Sequence, residues 1–174
     1  CALPIWEKLE ETKNALHLCL RNLDEGDDFN IIAFSKDLKV FSKNGKVPYN
    51  DENLQKASEW IDEIKVEPGA DVFESLKYAL QEKNIDGNST ILLFTDDMVE
   101  DEDEIIDYVK ENIGDNRIFT FGVDTVVNSY FINKMAEIGY GRPEFIYAGE
   151  RIDDMVLRQF NRITNPQVDV LSID

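Results

Sequence analysis

Hydrophobic residues recur at helical spacing in six segments of the chain. Between residues 5 and 23 they fall three or four positions apart, which predicts an amphipathic helix with one buried face. Asn128 precedes the fifth such segment and is expected to cap it, since Asn oxygens accept bonds from free helix amides. The other five helices are predicted at Leu54–Ile64, Val72–Leu80, Ile105–Ile113, Phe131–Ile138 and Ile152–Ile163.

Short apolar runs between these helices predict buried strands. They are Phe29–Ser35, Ile91–Phe94, Arg117–Val123 and Glu144–Ala148. The run Ile91–Phe94 has no polar position, which predicts burial on both faces and a place inside the sheet rather than at its edge.

Two shorter segments complete the pattern of secondary structure. Leu38–Phe41 follows its neighbouring strand after a tight turn at Lys36-Asp37, so we expect an antiparallel pair at the sheet edge. Gly139–Pro143 follows a helix and is expected to form its C-cap and a turn.

The alternation of helices and strands predicts the fold class. We expect an α/β domain with a doubly wound, mostly parallel central sheet, helices on both faces and one antiparallel edge strand. The length of 174 residues and the 43% hydrophobic content suit one domain with a sizeable core.

The net charge of the chain limits the kinds of molecule that it can bind. The chain carries 36 acidic and 18 basic residues, a net charge of -18. Nucleic acid and anionic membrane surfaces are therefore excluded as partners, because both require a basic face. No stretch is long and apolar enough to predict membrane insertion. A basic protein partner is compatible with this charge, although most of it is expected to be solvated surface.

Carboxylates follow three of the predicted strands. Ser35-Lys36-Asp37, Asp96-Asp97 and Asp124 stand directly after apolar runs. Ligands of open α/β sheets bind beyond the carboxyl ends of the strands, so these residues predict either a Mg²⁺ site or an aspartate nucleophile. The alternative is that each Asp serves as a turn residue or helix cap.

Other catalytic groups are sparse. The sequence has no phosphate-binding loop, dinucleotide fingerprint or nucleophile elbow. His17, the single histidine, lies on the first helix, where a surface or packing role is expected. Cys19 lies on the apolar stripe of the same helix and is expected to be buried. The acidic run 100–104 is expected to be a solvated helix start, where acids suit the dipole.

The order and spacing of several segments resemble a known family. The chain is similar to von Willebrand factor A domains, above all those of inter-alpha-trypsin inhibitor heavy chains and their bacterial relatives. The segments that carry this resemblance are Leu23–Ser35, Pro68–Leu76, Ile91–Asp97, Arg117–Val123 and Phe160–Pro166.

The resemblance implies a protein-binding or adhesion module without catalysis. In that family a divalent cation is held by an Asp-x-Ser-x-Ser loop, a Thr in a second loop and the Asp of a Thr-Asp-Gly segment. Here Thr95-Asp96-Asp97 keeps the Asp and replaces the Gly, and Ala70 stands at the place of the Thr. The Asp-x-Ser-x-Ser loop and its strand have no match. Asp96 is thus the one ligand that carries over, and the metal site is predicted to be degenerate.

The resemblance also predicts the extent of the domain and its surroundings. Residues 1–165 are expected to form the domain without its first strand, and 166–174 an extended tail that leads out of it. Mg²⁺ is expected only if a preceding segment supplies the missing loop. The partner-binding face is predicted at Ser35, Ala70, Asp96, Asp97 and Asp124. A secreted or cell-surface location is implied by the resemblance alone.

Two other functions stay open. The chain could be a structural domain that packs on neighbouring domains of a longer protein, or a receiver-like domain that uses Asp96 or Asp97 with Mg²⁺ for phosphoryl transfer. The second reading has weaker support, because Gly122 and Asp124 stand where a receiver would need a lysine.

Overall fold

The computed structural model describes residues 5–35, 37–65, 71–81, 89–95, 101–123, 128–147 and 150–164. They form six helices and seven strands. The helices are α1 (Ile5–Arg21), α2 (Asp51–Glu63), α3 (Val72–Gln81), α4 (Glu102–Asn112), α5 (Ser129–Ile138) and α6 (Ile152–Thr164). The strands are β1 (Asp28–Phe29), β2 (Ile32–Phe34), β3 (Leu38–Val40), β4 (Val47–Pro48), β5 (Thr90–Thr95), β6 (Arg117–Val123) and β7 (Tyr140–Ile146).

The centre of the molecule is a parallel sheet in the order β5-β6-β7. In β6, which lies between the other two, every residue after Arg117 is buried. Its side chains alternate between two apolar clusters, as the geometry of a strand requires. Phe121 and Val123 pack on one face, and Ile118 packs on the other.

Helices cover both faces of this sheet. The first cluster contains side chains from α1 and α6, including Ala15, Cys19 and Val156. The second contains side chains from α3, α4 and α5, including Val109 and Phe131. The predicted doubly wound α/β architecture, with a mostly parallel sheet between two helical layers, is confirmed.

The predicted antiparallel hairpin is also confirmed. Strands β2 and β3 pair antiparallel, with Ile32 opposite Val40 and Phe34 opposite Leu38. The apolar run that was expected to be one strand over Phe29–Ser35 is divided, however. Its first part, β1, pairs with β4 instead. At the break, the Asn30 side chain takes the place of a strand pairing, because it donates to the Ser42 carbonyl and accepts from the Ser42 amide.

The position of β5 differs from the sequence-based expectation. An interior strand was predicted, but β5 lies at the end of the described three-stranded sheet. Its burial agrees with an end position, because Ile91, Leu92 and Phe94 are half-buried whereas Leu93 is buried. The apolar run correctly indicated coverage by helices on both faces, but it carries no information about which strands lie on each side.

The last strand begins earlier than the sequence indicated. A turn was predicted over Gly139–Pro143, yet β7 starts at Tyr140. Gly139 caps α5, and its amide donates to the Met135 carbonyl at 3.0 Å. Tyr140 then adopts a left-handed conformation with φ of 52°. Tyr140 alone therefore redirects the chain from α5 into β7, without the longer turn that was predicted.

Candidate partner-binding face

The carboxyl ends of β5 and β6 lie side by side. The two strands are parallel and in register, with Thr95 opposite Gly122. Thr95 and Val123 are the last residues of these strands, and both are buried. The loops that follow the two strands therefore leave from the same edge of the sheet, which is where open α/β sheets bind ligands.

Ser35 lies at the end of β2, next to the start of α3. Its carbonyl accepts a bond from the Asp71 amide at 3.3 Å, and its hydroxyl lies 3.4 Å from the Asp37 carbonyl. The Asp71 carboxylate accepts from the Glu74 amide at 2.9 Å, which fixes the first turn of α3. The backbone thus ties the end of β2 to the beginning of a helix, and Ser35 is half-exposed there.

Four of the five residues predicted for this face lie outside the described residues. These are Ala70, Asp96, Asp97 and Asp124. Asp96 directly follows β5 and Asp124 directly follows β6, so the structure places the strand ends that precede them along one edge. The grouping of these four residues with Ser35 stays a prediction.

An acidic depression lies at the beginning of α4. It is shallow and open, and it is lined by Asp101, Glu102, Asp103, Glu104 and Tyr130. Three of these acids belong to the first turn of α4, as the sequence indicated. Asp101 precedes the helix with φ of 53°, and its side chain makes no capping bond.

Tyr130 lines this depression and Asn128 is bonded to one of its acids, and the sequence suggested neither. The Asn128 amide donates to the Glu102 carboxylate, and its carbonyl oxygen accepts from the Phe131 amide at 3.1 Å. Asn128 therefore caps α5, as predicted, and also joins the beginnings of α4 and α5. Tyr130, in the first turn of α5, is 53% exposed beside the acids. Helix α4 follows β5 and helix α5 follows β6, and these strands are parallel neighbours. This order along the chain could have predicted that the first turns of α4 and α5 lie close together.

The metal ligands that the family resemblance implies are not assembled by the described residues. In the part of the chain that the structure describes, no group of three or more His, Cys, Asp or Glu side chains is arranged to hold a metal ion. Ser35, the member of the predicted face that is described, directs its hydroxyl to a carbonyl of its own loop.

The lone histidine and the internal cysteine both belong to α1. His17 on α1 places its Nε2 atom 2.9 Å from the Asp62 carboxylate at the end of α2, so it links two helices. Cys19 is 8% exposed. Burial raises the pKa of its thiol to about 12, so the thiol is protonated at neutral pH and is a poor nucleophile. The expected packing role of Cys19 is confirmed.

Comparison with known sequences identifies the family. The profile of the von Willebrand factor type A domain matches residues 6–145, most of the chain. The chain therefore belongs to the von Willebrand factor type A domain family, whose members are generally protein-interaction and adhesion modules. The finer resemblance to inter-alpha-trypsin inhibitor heavy chains stays a prediction.

Several larger proteins contain similar sequences. Two von Willebrand factor A domain-containing proteins of Dictyostelium discoideum are 29% and 30% identical, each over 95% of this chain. The von Willebrand factor A domain-containing protein 5B1 of Mus musculus is 24% identical over 93% of the chain. The chain spans 18%, 8% and 13% of the length of these three relatives, respectively.

Solved structures show the same fold. A von Willebrand factor type A protein from Catenulispora acidiphila superposes with a TM-score of 0.70 at 16% identity, covering 90% of this chain and 37% of that one. The conserved hypothetical protein BatB from Bacteroides thetaiotaomicron gives a TM-score of 0.69 at 14% identity, covering 90% and 86%. At such identities the likeness extends to the fold alone. Among the described helices of this chain, none combines the length and apolar character needed to cross a membrane.

Proposed function

We propose that this domain is a non-catalytic protein-binding module and that its carboxyl sheet edge is the contact face. The observation that carries the proposal is the parallel, in-register ending of β5 and β6 at Thr95 and Gly122. Asp96 and Asp97 directly follow β5 in sequence and Asp124 directly follows β6, which supports a contact face at this edge. Ser35, which follows β2, and Ala70, which precedes α3 in sequence, complete the proposed face.

The charge of this edge favours a basic partner. The acids at the beginning of α4 are exposed or half-exposed, and Tyr130 adds an aromatic ring beside them. Tyr is enriched in protein interfaces, because it combines a large apolar surface with a hydroxyl group. A basic peptide segment would be attracted by the carboxylates and could pack on the ring.

The chemistry of the chain supports binding without turnover. The sequence contains no cofactor motif or activated nucleophile of a known kind. The thiol of Cys19 is buried and protonated, and His17 is engaged between two helices. General acid–base or covalent catalysis would require such groups to stand together at the proposed face.

The proposed metal site is a remnant centred on Asp96. Ala70 has no oxygen to donate, and a single carboxylate does not hold Mg²⁺ against water. Proximal thread matrix protein 1 of the mussel byssus has been solved with a zinc-occupied site of the metal-ion-dependent adhesion type, and it shares the fold with a TM-score of 0.65 at 12% identity. In the present chain, Mg²⁺ would require the Asp-x-Ser-x-Ser loop from a preceding segment.

A structural role is the second candidate. The chain spans less than a fifth of each relative described above, so most of the length of those proteins lies outside the matched region. In that case the face formed by the strand ends would pack permanently against another domain, and no separate partner would bind there.

The test compares two double variants with equal changes of charge. A partner is first isolated by pull-down with the full chain, and its affinity is measured against salt concentration. Asp96→Asn with Asp97→Asn is expected to weaken binding at least about tenfold and to reduce its salt dependence, because exposed charges are screened beyond about 8 Å at physiological ionic strength.

The matched control is Glu111→Gln with Asp115→Asn. These residues lie near the end of α4 and before β6, at the opposite edge of the sheet. We expect the control to bind as the unmodified chain does. Equal binding by both double variants would rule out the proposed face and favour the structural role.

A further inference from the structure

The turn between β3 and β4 contains an Asn-Gly pair that faces solvent. Asn44 is exposed and Gly45 is half-exposed. The φ of Gly45 is 98°, and nothing lies within 4 Å of the position that a Cβ atom would take there. Glycine adopts such a φ without steric cost. The Gly45 backbone therefore carries no side chain of its own and lies beside open space.

No hydrogen bond restrains this pair. Within the part of the chain that the structure describes, neither the Asn44 side chain nor the Gly45 amide has a hydrogen-bond partner. The Asn44 side chain can therefore rotate towards the peptide bond that follows it, and the nitrogen of that bond is not held by an acceptor.

Most other described asparagines are held in place through their side chains. They bond to nearby backbone or side-chain groups, usually at helix ends and turns: Asn22, Asn30, Asn50, Asn53, Asn112, Asn116, Asn128 and Asn133. Among the asparagines that the structure describes, Asn44 is the one that precedes a glycine. It therefore differs from the others in both its freedom and its neighbour.

We propose that Asn44 is a site of spontaneous covalent modification, at which the folded chain converts the asparagine into a mixture of aspartate and isoaspartate. The inference rests on the exposure of the turn, the open backbone of Gly45 and the lack of hydrogen bonds at the pair. It does not depend on the binding face proposed above.

The reaction needs water and no other reagent. The Gly45 amide nitrogen loses its proton and attacks the Asn44 Cγ atom, and the new C–N bond closes a succinimide ring. The Cγ–Nδ2 bond breaks, and the nitrogen leaves with a proton as ammonia. Water then opens the ring. Opening at Cγ gives aspartate, and opening at the backbone carbonyl gives isoaspartate, in which the main chain runs through Cγ.

Both ends of this turn are anchored to the β1–β2 segment, so the isoaspartyl product has a structural consequence. Before the turn, Ser42 exchanges two bonds with the Asn30 side chain, at 2.9 and 3.0 Å. After the turn, Val47 pairs with Phe29. The isoaspartyl linkage adds one methylene to the main chain between these anchors. We expect the longer turn to loosen the bonds between Ser42 and Asn30.

The test incubates the full chain at neutral pH and follows Asn44 by mass spectrometry of the chymotryptic peptide 42–49. The amide-to-acid change raises the peptide mass, and labelling by an isoaspartyl methyltransferase reports the isoaspartate. The rate in the folded chain is expected to lie within about tenfold of that in a synthetic peptide of residues 42–49, because an exposed turn without hydrogen bonds opens at little cost. Asn53 and Asn116 are expected to stay unmodified.

Two glycine variants form a matched pair. Gly45→Ala is expected to slow the reaction at least about tenfold, because a Cβ atom crowds the attacking nitrogen and restricts its φ. Gly26→Ala is the control: Gly26 also lies in an exposed turn, with φ of 104° and nothing within 4 Å of a Cβ atom. It follows Glu25, so its substitution imposes similar strain and is expected to leave the rate at Asn44 unchanged.

Amide exchange separates the effect of the new linkage from that of the new charge. The isoaspartyl form is isolated by ion-exchange chromatography and compared with Asn44→Asp. Exchange of the Ser42 amide, which donates to Asn30, is expected to be at least about tenfold faster in the isoaspartyl form alone. Equal exchange in the two forms would overturn the inferred loosening.

The modification itself has its own contrary results. A folded chain that reacts far more slowly than the free peptide, beyond the tenfold range, would show that the turn protects Asn44. Equal slowing by Gly45→Ala and Gly26→Ala would show that the rate reports the stability of the domain and not the backbone at Gly45. Either result would overturn the proposal.

Discussion

At Gly141, β7 approaches the backbone of β6 closely. A Cβ atom at this position would lie 1.9 Å from the Ile118 carbonyl oxygen and 2.7 Å from its carbon. Both atoms belong to the backbone of β6, which cannot yield as the end of a side chain could. We expect Gly141→Ala to lower the free energy of unfolding by about 3 kcal/mol, in the upper part of the range for overpacked cores.

Gly114→Ala is the matched control for this prediction. Gly114 precedes β6 and its φ is 55°, but nothing lies within 4 Å of a Cβ atom there. The expected loss is about 1 kcal/mol, from the left-handed conformation alone. Chemical denaturation of both variants measures the difference, and equal losses would show that the backbone approach at Gly141 is not tight.

Cys19 makes stability depend on pH in the alkaline range. Its thiol pKa is raised to about 12 in the folded chain, from a value of 9.0 for an unburied thiol. Between these values the unfolded chain loses a proton that the folded chain keeps. The contribution of Cys19 is therefore fully present below pH 9 and declines by up to about 1.4 kcal/mol per pH unit as the pH rises towards 12.

The measurement compares the unmodified chain with Cys19→Ala by urea denaturation between pH 8 and pH 11. Lysine and tyrosine titrations are common to both chains, so the difference between their stabilities isolates the thiol. We expect the difference to be constant up to about pH 9 and to move in favour of the alanine variant above it. Parallel curves would mean that Cys19 is accessible to water.

The roles of some single residues could be predicted from the sequence, and those of others could not. Burial of Cys19 and capping by Asn128 were both predicted correctly, because each depends on a few neighbouring positions. The left-handed Tyr140 was not, since a bulky residue rarely adopts φ of 52° without tertiary constraints. Gly139 and Gly141 on either side would each bring a Cβ within 3 Å of Ile118 atoms, a constraint that the sequence does not display.

Among the elements, α6 is attached to β7 by one carboxylate. Glu144 accepts two bonds from Arg158, at 2.8 and 2.9 Å, and a third from Arg162 at 2.8 Å. Its side chain is 12% exposed, so this pairing is shielded more than an ordinary surface ion pair. The bonds to Glu144 hold the Arg158 pKa above its usual value.

We expect Glu144→Ala to destabilise the fold by about 1–2 kcal/mol, because two guanidinium groups lose their shared acceptor. Glu52→Ala is the control: Glu52 pairs with Lys56 on exposed helix surface, at a spacing of four residues. Its loss is expected to cost clearly less than the loss of Glu144, because solvent screens an exposed ion pair. Thermal unfolding of both variants compares the pairs, and similar losses would contradict a special role for Glu144.

Helices were easier to predict than strands, for a physical reason. Periodicity over eight or more residues located all six described helices, and Asn50 caps the beginning of α2. Strands β1 and β4 have two residues each and depend on pairing between distant segments. No local sequence pattern predicts the pairing of β1 with β4. The hairpin of β2 and β3 was predictable because its two strands are neighbours in sequence.

For the whole molecule, metal affinity tests the interpretation of the binding edge. We expect the chain to bind Mg²⁺ or Mn²⁺ weakly if at all, because Asp96 is the single matching ligand and Ala70 replaces a threonine. Calorimetric titration measures this directly. A saturable site with a dissociation constant at or below about 10 µM would contradict the proposed loss of ligands.

A pair of variants sharpens the same measurement. Ala70→Thr alone is expected to leave affinity unchanged, because one hydroxyl does not complete an octahedral shell. When a preceding Asp-x-Ser-x-Ser segment is fused to the chain, the same substitution is expected to increase affinity. An increase by Ala70→Thr without the fused segment would mean that other oxygens of this chain already surround the site.

The fold class could be predicted from the sequence, but the position of β5 in the sheet could not. Alternating helices and apolar runs were enough to indicate a doubly wound domain. The position of β5 at an edge depends on whether a neighbouring strand is present, and the run Ile91–Phe94 is the same in either case. The candidate edge could be predicted because ligands of open α/β sheets bind beyond the strand ends. The position of Tyr130 beside the acids of α4 could not, because it depends on how α4 and α5 are arranged in three dimensions.

The packing of α1 against α6 has a consequence for how the chain folds. Cys19 and Met155 belong to one cluster, although they come from opposite ends of the sequence. Contacts at such separation form late, because a long loop must close before they yield any stabilisation. The unit of α4, β6, α5 and β7 is contiguous and can assemble first. Until α1 packs on the sheet, the Phe94 side chain is exposed to water. A newly made chain is therefore most prone to aggregate before α1 has packed.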